Sequence, residues 1–323
     1  MIQNEIVWEY KLIKLIDVTN WAGDEHHAIF PIGARDKEML WSPLDVTHKD
    51  LKPIWPYLFK QSIYRYPDQY WTEVIAYIIS KYIGVDVPKA YPAIKESNEG
   101  IICGSLIEWF YDVKTERFVH AGSYFKRIIS DFDDKSGKQH NLIDMMTFIR
   151  GLAINASLKT DRLKWLADMA LFDSFIGNTD RHQENWGVIF QNDDKTRLSP
   201  LFDNGTALGH ERFLNKVKDW DDNRIRTYLI KGCHHLRFSR ENTKQRIPHF
   251  QLIRGIVSVD ATIKAYVQQK LDNLDLEGML AEIHTLTEIK VDVPFSNERF
   301  DWIRRNIISR LTLIREELNN DNN

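Results

Sequence analysis

Short apolar and alternating segments dominate the first third of the chain, and they are typical of β-strands. These segments are 6–17, 26–32, 38–42, 57–60, 87–94 and 100–110. One stretch between them has a different period, because its apolar residues from Trp71 to Tyr82 recur every three or four positions and Gly84 follows. That spacing predicts an amphipathic helix that ends at the glycine. The N-terminal part is therefore predicted to be strand-rich with one helix.

Beyond residue 120 the apolar residues follow the helical period over long segments. Segments 141–154 and 161–176 have this spacing, and 296–319 carries one apolar stripe that starts behind Ser296, a favourable N-cap residue. This part of the chain is therefore predicted to be mainly helical.

The change of pattern predicts two lobes with a cleft between them. The chain has 323 residues, which is long enough for this arrangement. We expect a strand-rich N-terminal lobe at 1–107 and a mainly helical C-terminal lobe at 108–323, joined by a connector near 107–112.

Composition narrows the class of protein. Hydrophobic residues make up 43% and charged residues 28% of the chain, as in ordinary globular proteins, and the net charge of −3 gives no reason to expect direct nucleic-acid binding. Cys103 and Cys233 lie far apart and form no pair motif, which favours a reducing compartment. The first residues do not resemble a signal peptide, and no apolar stretch is long enough to span a bilayer. We expect a cytoplasmic protein without a membrane partner.

The most informative stretch is the polar loop that follows segment 161–176. Asp180 and Asn185 are five residues apart in this loop, a predicted hairpin follows, and Asp203 stands at its end with Gly205 two residues on. Phosphoryl transfer from ATP needs a carboxylate that orients the attacking hydroxyl and accepts its proton, and oxygen ligands for Mg²⁺. Protein kinases place these groups in this order and at this spacing. Asp180 is therefore predicted to be the catalytic base, and Asn185 and Asp203 the Mg²⁺ ligands.

Two side chains of the N-terminal part fit the same chemistry. Lys60 ends an apolar strand, and Glu73 follows thirteen positions later on the predicted helix. A strand lysine paired with a helix glutamate positions the nucleotide phosphates in kinases. A lysine whose stem only covers apolar surface, and an Asp180 loop whose polar side chains only cap backbone groups, are the structural alternatives.

The remaining nucleotide contacts are less well marked in the sequence. The segment 31–37 contains Gly33 and Arg35 and is the candidate phosphate-covering loop, although it has one glycine where the standard pattern has three. An ordinary hairpin turn is the alternative. Glu108 and Phe110 fall where the lobes join, and backbone groups there are predicted to read the edge of adenine.

Histidines outside this constellation are expected to be structural. The pair His234 and His235 follows Cys233, but adjacent ligands without a second spaced pair rarely build a tetrahedral metal site. His182 is expected to brace its own loop by hydrogen bonding.

The run GNTDRHQENWGVIF…LSPLFDNGTALG resembles the HipA-like kinases, and its D-R-H-x-x-N portion also resembles the catalytic loop of phosphatidylinositol 3/4-kinases. YLFKQ followed by YWTEVIAYIISKYIGVDVP is similar to the lysine strand and glutamate helix of the HipA-like group. The detailed resemblance covers residues 56–210. It implies an α+β, bilobal, protein-kinase-like fold, ATP and Mg²⁺ as cofactors, and the roles given above for Asp180, Asn185, Asp203 and Lys60.

The resemblance also implies a bacterial serine/threonine protein kinase with a protein substrate, of a kind that is often a toxin neutralised by a DNA-binding antitoxin partner. Members of the group often autophosphorylate a serine in the phosphate loop. Residues 20–41 contain no Ser, Thr or Tyr, so inhibition by phosphorylation in that loop is not expected here.

Two other functions use the same residues. A lipid or small-molecule hydroxyl could replace the protein acceptor, as the D-R-H-x-x-N loop suggests, although no basic amphipathic segment supports a lipid substrate. A nucleotide-binding pseudokinase or interaction module is the other alternative, suggested by the poor phosphate loop.

Overall fold

The computed structural model describes residues 14–24, 35–191 and 195–320. The strands are β1 (Ile16–Asp17), β2 (Ala22–Gly23), β3 (Lys37–Trp41), β4 (Pro56–Gln61), β5 (Ala90–Ser97), β6 (Gly100–Glu108), β7 (Glu116–His120), β8 (Gly187–Gln191) and β9 (Thr196–Leu198). The helices are α1 (Trp71–Ile83), α2 (Ala121–Ile128), α3 (Leu142–Asn155), α4 (Arg162–Ile176), α5 (Leu214–Val217), α6 (Asp222–Ile230), α7 (His249–Val257), α8 (Ala261–Asp272), α9 (Leu276–Thr285) and α10 (Asn297–Asn319). Gly33 and the predicted strand at 26–32 lie outside the described residues.

A six-stranded sheet forms the first half of the fold, in the order β1-β5-β6-β4-β3-β2. Its neighbours are antiparallel except for β1 and β5, which run parallel. Strand β4 lies between β3 and β6, with Lys60 opposite Lys37 on one side and Ser105 on the other. Tyr57 and Phe59 are fully buried in this half. Lys60 is thereby held in the middle of the sheet by two ladders of backbone hydrogen bonds.

Helix α1 begins and ends where the apolar spacing predicts. Gly84 closes it in the left-handed conformation at φ 68°, and its N–H donates to the Ser80 carbonyl. Since residues other than glycine are strained at positive φ, the glycine suits this helix end. Most apolar residues of α1 are fully buried in the same cluster as those of the C-terminal helices.

Helix α1 is also fastened to distant parts of the chain by polar contacts. The hydroxyl of Tyr70 and the indole N–H of Trp71 both donate to the carbonyl of Val293, at 2.8 and 3.1 Å. Near its other end, the hydroxyl of Tyr82 donates to Glu282 at 2.9 Å. The helix is therefore attached at both ends to the C-terminal half.

The second half is mainly helical around the long, buried helix α4, as predicted. Helix α10 starts behind Ser296, whose hydroxyl accepts the N–H of Arg299 at 3.1 Å. Trp165, Trp186 and Trp302 are buried in the main core, as residues of structural character should be.

A three-stranded sheet, β7-β8-β9, completes the helical half and was only partly predicted. The apolar runs of the sequence predict the hairpin of β8 and β9, but they do not predict β7. Phe118 of β7 pairs with Ile189 of β8 across many intervening residues. Strand β7 is half exposed and starts with Glu116 and Arg117, so it has no apolar run to mark it. A distant partner, and not local pattern, makes it a strand.

The architecture is α+β and bilobal, with a strand-rich and a mainly helical part. A boundary between 107 and 108 stays a prediction. No helix in the described part of the chain combines the length and the apolar composition needed to cross a membrane.

A substitution in β6 tests how tightly the sheet surrounds Lys60. A Cβ at Gly104 would lie 2.8 Å from the Phe59 ring and 2.9 Å from the Lys60 carbonyl oxygen. Gly104→Ala should therefore lower the free energy of unfolding by about 1–3 kcal/mol, because the sheet backbone must shift. Urea denaturation measures this change.

Gly151→Ala is the matched control for Gly104→Ala. Gly151 lies inside α3, and a Cβ there meets no atom of the described chain within 4 Å. This alanine should stabilise the protein by about 0.5–1 kcal/mol through helix propensity. Equal effects at the two glycines would contradict the close packing around Lys60.

Candidate active site

Three of the predicted side chains meet near the end of the central strand β4. The Lys60 ammonium donates to Glu73 Oε1 at 3.0 Å and to Asp203 Oδ1 at 2.6 Å. Lys60 and Glu73 are almost completely buried, whereas the side chain of Asp203 is 32% exposed. Strand β4, helix α1 and the segment after β9 thus meet at one buried cation, and Asp203 keeps access to the cleft.

Arg35 joins this cluster from the residues just before β3. Its Nη2 donates to Glu73 Oε1 at 3.1 Å and to Asp203 Oδ1 at 3.0 Å. The sequence offered Arg35 as a phosphate-loop residue. In the structure its guanidinium lies in the same ion-pair network as Lys60.

Charge keeps both carboxylates of the network ionised. Burial of Glu73 disfavours its charged form, but Lys60 and Arg35 outweigh burial and hold the pKa of Glu73 below its usual value. The same two cations outweigh the burial of Asp203 and hold its pKa well below the usual range. Asp203 is therefore an anion at neutral pH, as a metal ligand must be.

The backbone around Asp203 is shaped to aim its side chain. Asp203 has φ 57°, in the left-handed region that residues other than glycine rarely adopt. The N–H of the next residue, Asn204, donates to Glu73 Oε2 at 2.9 Å. A Cβ at Gly205 would lie 2.2 Å from the Arg35 guanidinium, so the glycine leaves room for that group.

The loop that carries Asp180 is fixed by its own polar side chains. Helix α4 ends at Gly177, in the left-handed conformation. The N–H of Asp180 donates to Asn178 Oδ1 at 2.9 Å, and Asn185 Nδ2 donates to the Asp180 carbonyl at 2.7 Å. Because the amide nitrogen of Asn185 is used in this way, its Oδ1 is the atom with which it can bind a metal.

Arg181 ties this loop to the Asp203 segment, and the sequence analysis missed it. Its fully buried guanidinium donates to the carbonyl of Asn185 at 3.3 Å, to the carbonyl of Phe202, and to Asn204 Oδ1 at 2.6 Å. One side chain thus holds together the two segments that carry the predicted metal ligands.

Asp173 in helix α4 balances the charge of Arg181. Its carboxylate accepts from Arg181 Nε at 3.0 Å and from Nη2 at 2.9 Å, and its Oδ2 lies 2.9 Å from His234 Nε2. Burial opposes ionisation, but Arg181 and His234 hold the pKa of Asp173 well below its usual range. An acid within an otherwise apolar helical pattern was the available signal, because a buried carboxylate requires a partner.

The pKa of Asp180 is shifted in the opposite direction to those of Asp203 and Asp173. Burial raises its pKa, and the negative charge of Asp203 raises it further, whereas His182 and Arg246 act in the other direction. The net direction is upward from the usual value for aspartate. A carboxylate with a raised pKa is a stronger proton acceptor, which suits a general base.

Several polar groups at the junction between the two halves have partners within the protein. The Glu108 carboxylate pairs with Lys52 at 2.7 Å, and its N–H donates to the Lys89 carbonyl. The carbonyl of Phe110 accepts from Arg197 at 3.2 Å. These backbone groups were predicted to read adenine, and that role stays a prediction.

Three aromatic rings meet at the same junction. The ring of Phe110 stacks on Phe202 with centroids 4.9 Å apart, and Phe118 packs edge-on against both rings. All three rings are half-buried. They form an apolar aromatic cluster next to the segment that carries Asp203.

The donor set fits a hard divalent cation held partly by phosphate. The described residues contain no group of three His, Cys, Asp or Glu side chains that could hold a metal. Asn185 and Asp203 offer amide and carboxylate oxygens, which Mg²⁺ prefers, and Mg²⁺ commonly takes its other ligands from substrate phosphates and water. His234, bound to Asp173, has the structural role expected of it, and His182 Nδ1 accepts the Glu184 N–H at 3.1 Å.

Comparison with known proteins identifies the family of the chain. The HipA-like C-terminal domain family matches residues 31–255. The serine/threonine-protein kinase CtkA of Helicobacter pylori strain J99 is 34% identical over 76 residues, which cover 23% of this chain and 23% of CtkA.

Solved structures extend the likeness to most of the chain. The crystal structure of the H. pylori proinflammatory kinase CtkA has a TM-score of 0.70 at 17% identity, with 94% of this chain and 97% of that chain covered. HipA of Shewanella oneidensis MR-1, solved with HipB and operator DNA, has a TM-score of 0.49 at 12% identity and covers 91% of this chain and 66% of that one. The likeness to CtkA shows a kinase-like fold.

Replacing Arg181 should destabilise the whole protein. Arg181→Gln leaves Asp173 buried beside a weaker partner and frees the carbonyls of Asn185 and Phe202. Loss of one partner of a buried ion pair costs about 3–5 kcal/mol. Urea denaturation should show a fall of that size in the free energy of unfolding.

Arg226→Gln serves as the control for the Arg181 variant. Arg226 pairs with Glu316 on the surface, where the two side chains are 44% and 45% exposed. Exposed pairs contribute about 0–1 kcal/mol, so this change should be small. A loss at Arg181 no larger than that at Arg226 would show that Arg181 does not hold the site together.

Proposed function

Because the chain belongs to the HipA-like family, we propose that it is an ATP- and Mg²⁺-dependent kinase that phosphorylates a serine or threonine hydroxyl of a protein. The observation that carries this proposal is the contact of one buried ammonium, that of Lys60, with both Glu73 and Asp203. In kinases this lysine–glutamate pair and the metal-binding aspartate must be in place together for phosphoryl transfer.

Asp180 is the proposed catalytic base. The acceptor oxygen forms a bond to the γ-phosphorus while the bond from that phosphorus to the β–γ bridging oxygen breaks, and ADP leaves with the electron pair. The acceptor proton passes to the Asp180 carboxylate. The Asp180 N–H donates to Asn178, and the Asp180 carbonyl accepts from Asn185. These bonds support the role because they fix the backbone that carries the carboxylate.

Lys60, Asn185 and Asp203 are the proposed holders of the phosphates and the metal. Lys60 would contact the α- and β-phosphates, and Asn185 Oδ1 with Asp203 would bind Mg²⁺, which when bound neutralises charge on the phosphates. Arg181 supports this assignment because it fixes the distance between the two ligand-bearing segments.

The aromatic surface of Phe110, Phe118 and Phe202 is where we propose that adenine packs. The outer face of an aromatic ring offers a base a flat apolar surface on which it can stack. The predicted contact at Phe110 is thus assigned to its ring, while the Glu108 carboxylate serves the Lys52 ion pair.

A protein acceptor is favoured by the likeness to CtkA, which is named as a serine/threonine-protein kinase. A toxin role and an antitoxin partner are predictions from the family resemblance alone. Cytoplasmic location is likewise a prediction.

Asp180→Asn should remove phosphoryl transfer while leaving nucleotide binding intact. Loss of a general base lowers the rate about 10²–10⁴-fold. The measurement uses labelled ATP and Mg²⁺ with the purified protein and a cell extract, followed by separate counting of protein, lipid and small-molecule fractions.

Asp222→Asn is the control for the Asp180 variant, since the Asp222 side chain is 94% exposed. It should transfer label like the wild type. Label that enters only lipid or metabolites would establish the alternative acceptor. Tight ATP binding with equal, background labelling by wild type and Asp180→Asn would favour the pseudokinase.

The pH dependence of kcat/KM should change when the positive charge of Arg246 is removed. Activity requires the ionised base, so it is present above the pKa of Asp180 and lost as the pH falls through it. Arg246 lowers the pKa of Asp180. Arg246→Gln should therefore move the acid limb to higher pH, and added salt should reduce the difference from wild type, because Arg246 is exposed. An acid limb that stays in place or moves to lower pH would contradict the role of Asp180.

A further inference from the structure

The side chain of Arg35 reaches into the ion-pair network of the site and is buried there. Its side chain is only 8% exposed, although the residue lies outside the strands, two positions before the start of β3. The guanidinium bridges Glu73 and Asp203 and lies against the backbone of Gly205. Arginine is rarely buried without a specific set of partners.

Two cations share one oxygen of Asp203. Lys60 Nζ and Arg35 Nη2 approach the same Oδ1, at 2.6 and 3.0 Å. Lys60 is held in the middle of the sheet by backbone pairing with both neighbouring strands. Arg35 has no such constraint among the described residues, so it is the cation that can leave Asp203 without breaking the sheet.

Arg35 also has an unused donor inside the protein. Its Nη1 is buried and makes no hydrogen bond to any described residue. An unpaired guanidinium nitrogen in a buried site is costly, and a phosphate oxygen is the ligand that matches a guanidinium best. This nitrogen belongs to the same guanidinium as the Nη2 that contacts Asp203, which the proposed function makes a metal ligand beside the phosphates.

A metal ion and Arg35 would compete for Asp203. Oδ1 of Asp203 already accepts two charge-assisted hydrogen bonds, which use its lone pairs, so an incoming metal meets only Oδ2 of that carboxylate. A dication next to the guanidinium would also be repelled, and because the Arg35 side chain is buried, water screens that repulsion less than it would on the surface. Arg35 must therefore move before Oδ1 can coordinate a metal.

We propose that Arg35 is an internal counter-cation that blocks divalent metal from Asp203 until nucleotide phosphates draw its guanidinium away. This positioning role rests on the proposed function of Asp203 as a metal ligand. The phosphates give Nη1 and Nη2 new anionic partners, and the release of Oδ1 then opens it to the metal. Nucleotide binding and metal binding are coupled through one side chain, so metal alone binds weakly.

Mn²⁺ titration followed by electron paramagnetic resonance tests the block without nucleotide and without turnover. Free Mn²⁺ gives a sharp signal that is lost on binding. Arg35→Gln should bind Mn²⁺ about tenfold more tightly than wild type, because one charged hydrogen bond no longer competes. Arg35→Lys, which keeps the charge, should gain less. Arg65→Gln, an exposed arginine over the Tyr66 ring, should behave like wild type.

The Asp203→Asn variant shows whether a negative result contradicts only the block by Arg35 or also the proposed metal role of Asp203. It should weaken Mn²⁺ binding and cancel the gain of Arg35→Gln in the double variant. Unchanged Mn²⁺ affinity in Arg35→Gln, with weakened binding in Asp203→Asn, would overturn the block and leave the metal role of Asp203 standing. Unchanged Mn²⁺ affinity in Asp203→Asn would overturn both.

The ATP affinity, measured in EDTA, is a second test, and in Arg35→Gln it should change in the opposite direction to the Mn²⁺ affinity. Arg35→Gln should bind ATP about tenfold more weakly, since a guanidinium–phosphate contact is lost. A merely structural arginine would weaken both ligands when removed. Tighter Mn²⁺ binding together with weaker ATP binding is the result expected, and weaker binding of both ligands would overturn the inference.

Discussion

The buried carboxylate of Glu73 is the interaction on which the arrangement of the site depends. An isolated charge in the interior would be prohibitively costly, so its position requires cations and donors around it. Lys60, Arg35 and the N–H of Asn204 meet this requirement from three separate segments. Helix α1, strand β4 and the turn after β9 are thereby placed relative to each other by the need to satisfy one anion.

The helical half also contains a buried charge that needs partners, and there the charge is positive. There the buried group is the Arg181 cation, and Asp173 with two backbone carbonyls surrounds it. The two networks meet at Asn204, whose N–H serves Glu73 and whose Oδ1 accepts from Arg181. The polar framework is therefore continuous from the sheet to helix α4, and the Asp180 loop is attached to it.

Local pattern predicted the fold well because most elements are marked by their own residues. Helix α1 has its apolar period and Gly84, and α10 has Ser296. The order of charged residues along the chain also indicated that Lys60, Glu73 and Asp203 would lie together, and they do. Strand β7 and Arg181 escaped prediction, since a strand partner and a buried ion pair exist only between segments far apart in sequence. The chemical roles of the site residues stay predictions.

The anchoring of helix α1 limits how such a protein can be controlled. Many kinases are switched by swinging the glutamate helix away from the lysine. Here that helix shares its core with the C-terminal helices, and Tyr70 and Trp71 both bind the Val293 carbonyl. An outward swing would expose apolar surface along its whole length, so the lysine–glutamate pair behaves as a fixed part of the scaffold. Regulation at this cleft must then act on the binding of nucleotide, metal or acceptor, and not on the position of helix α1.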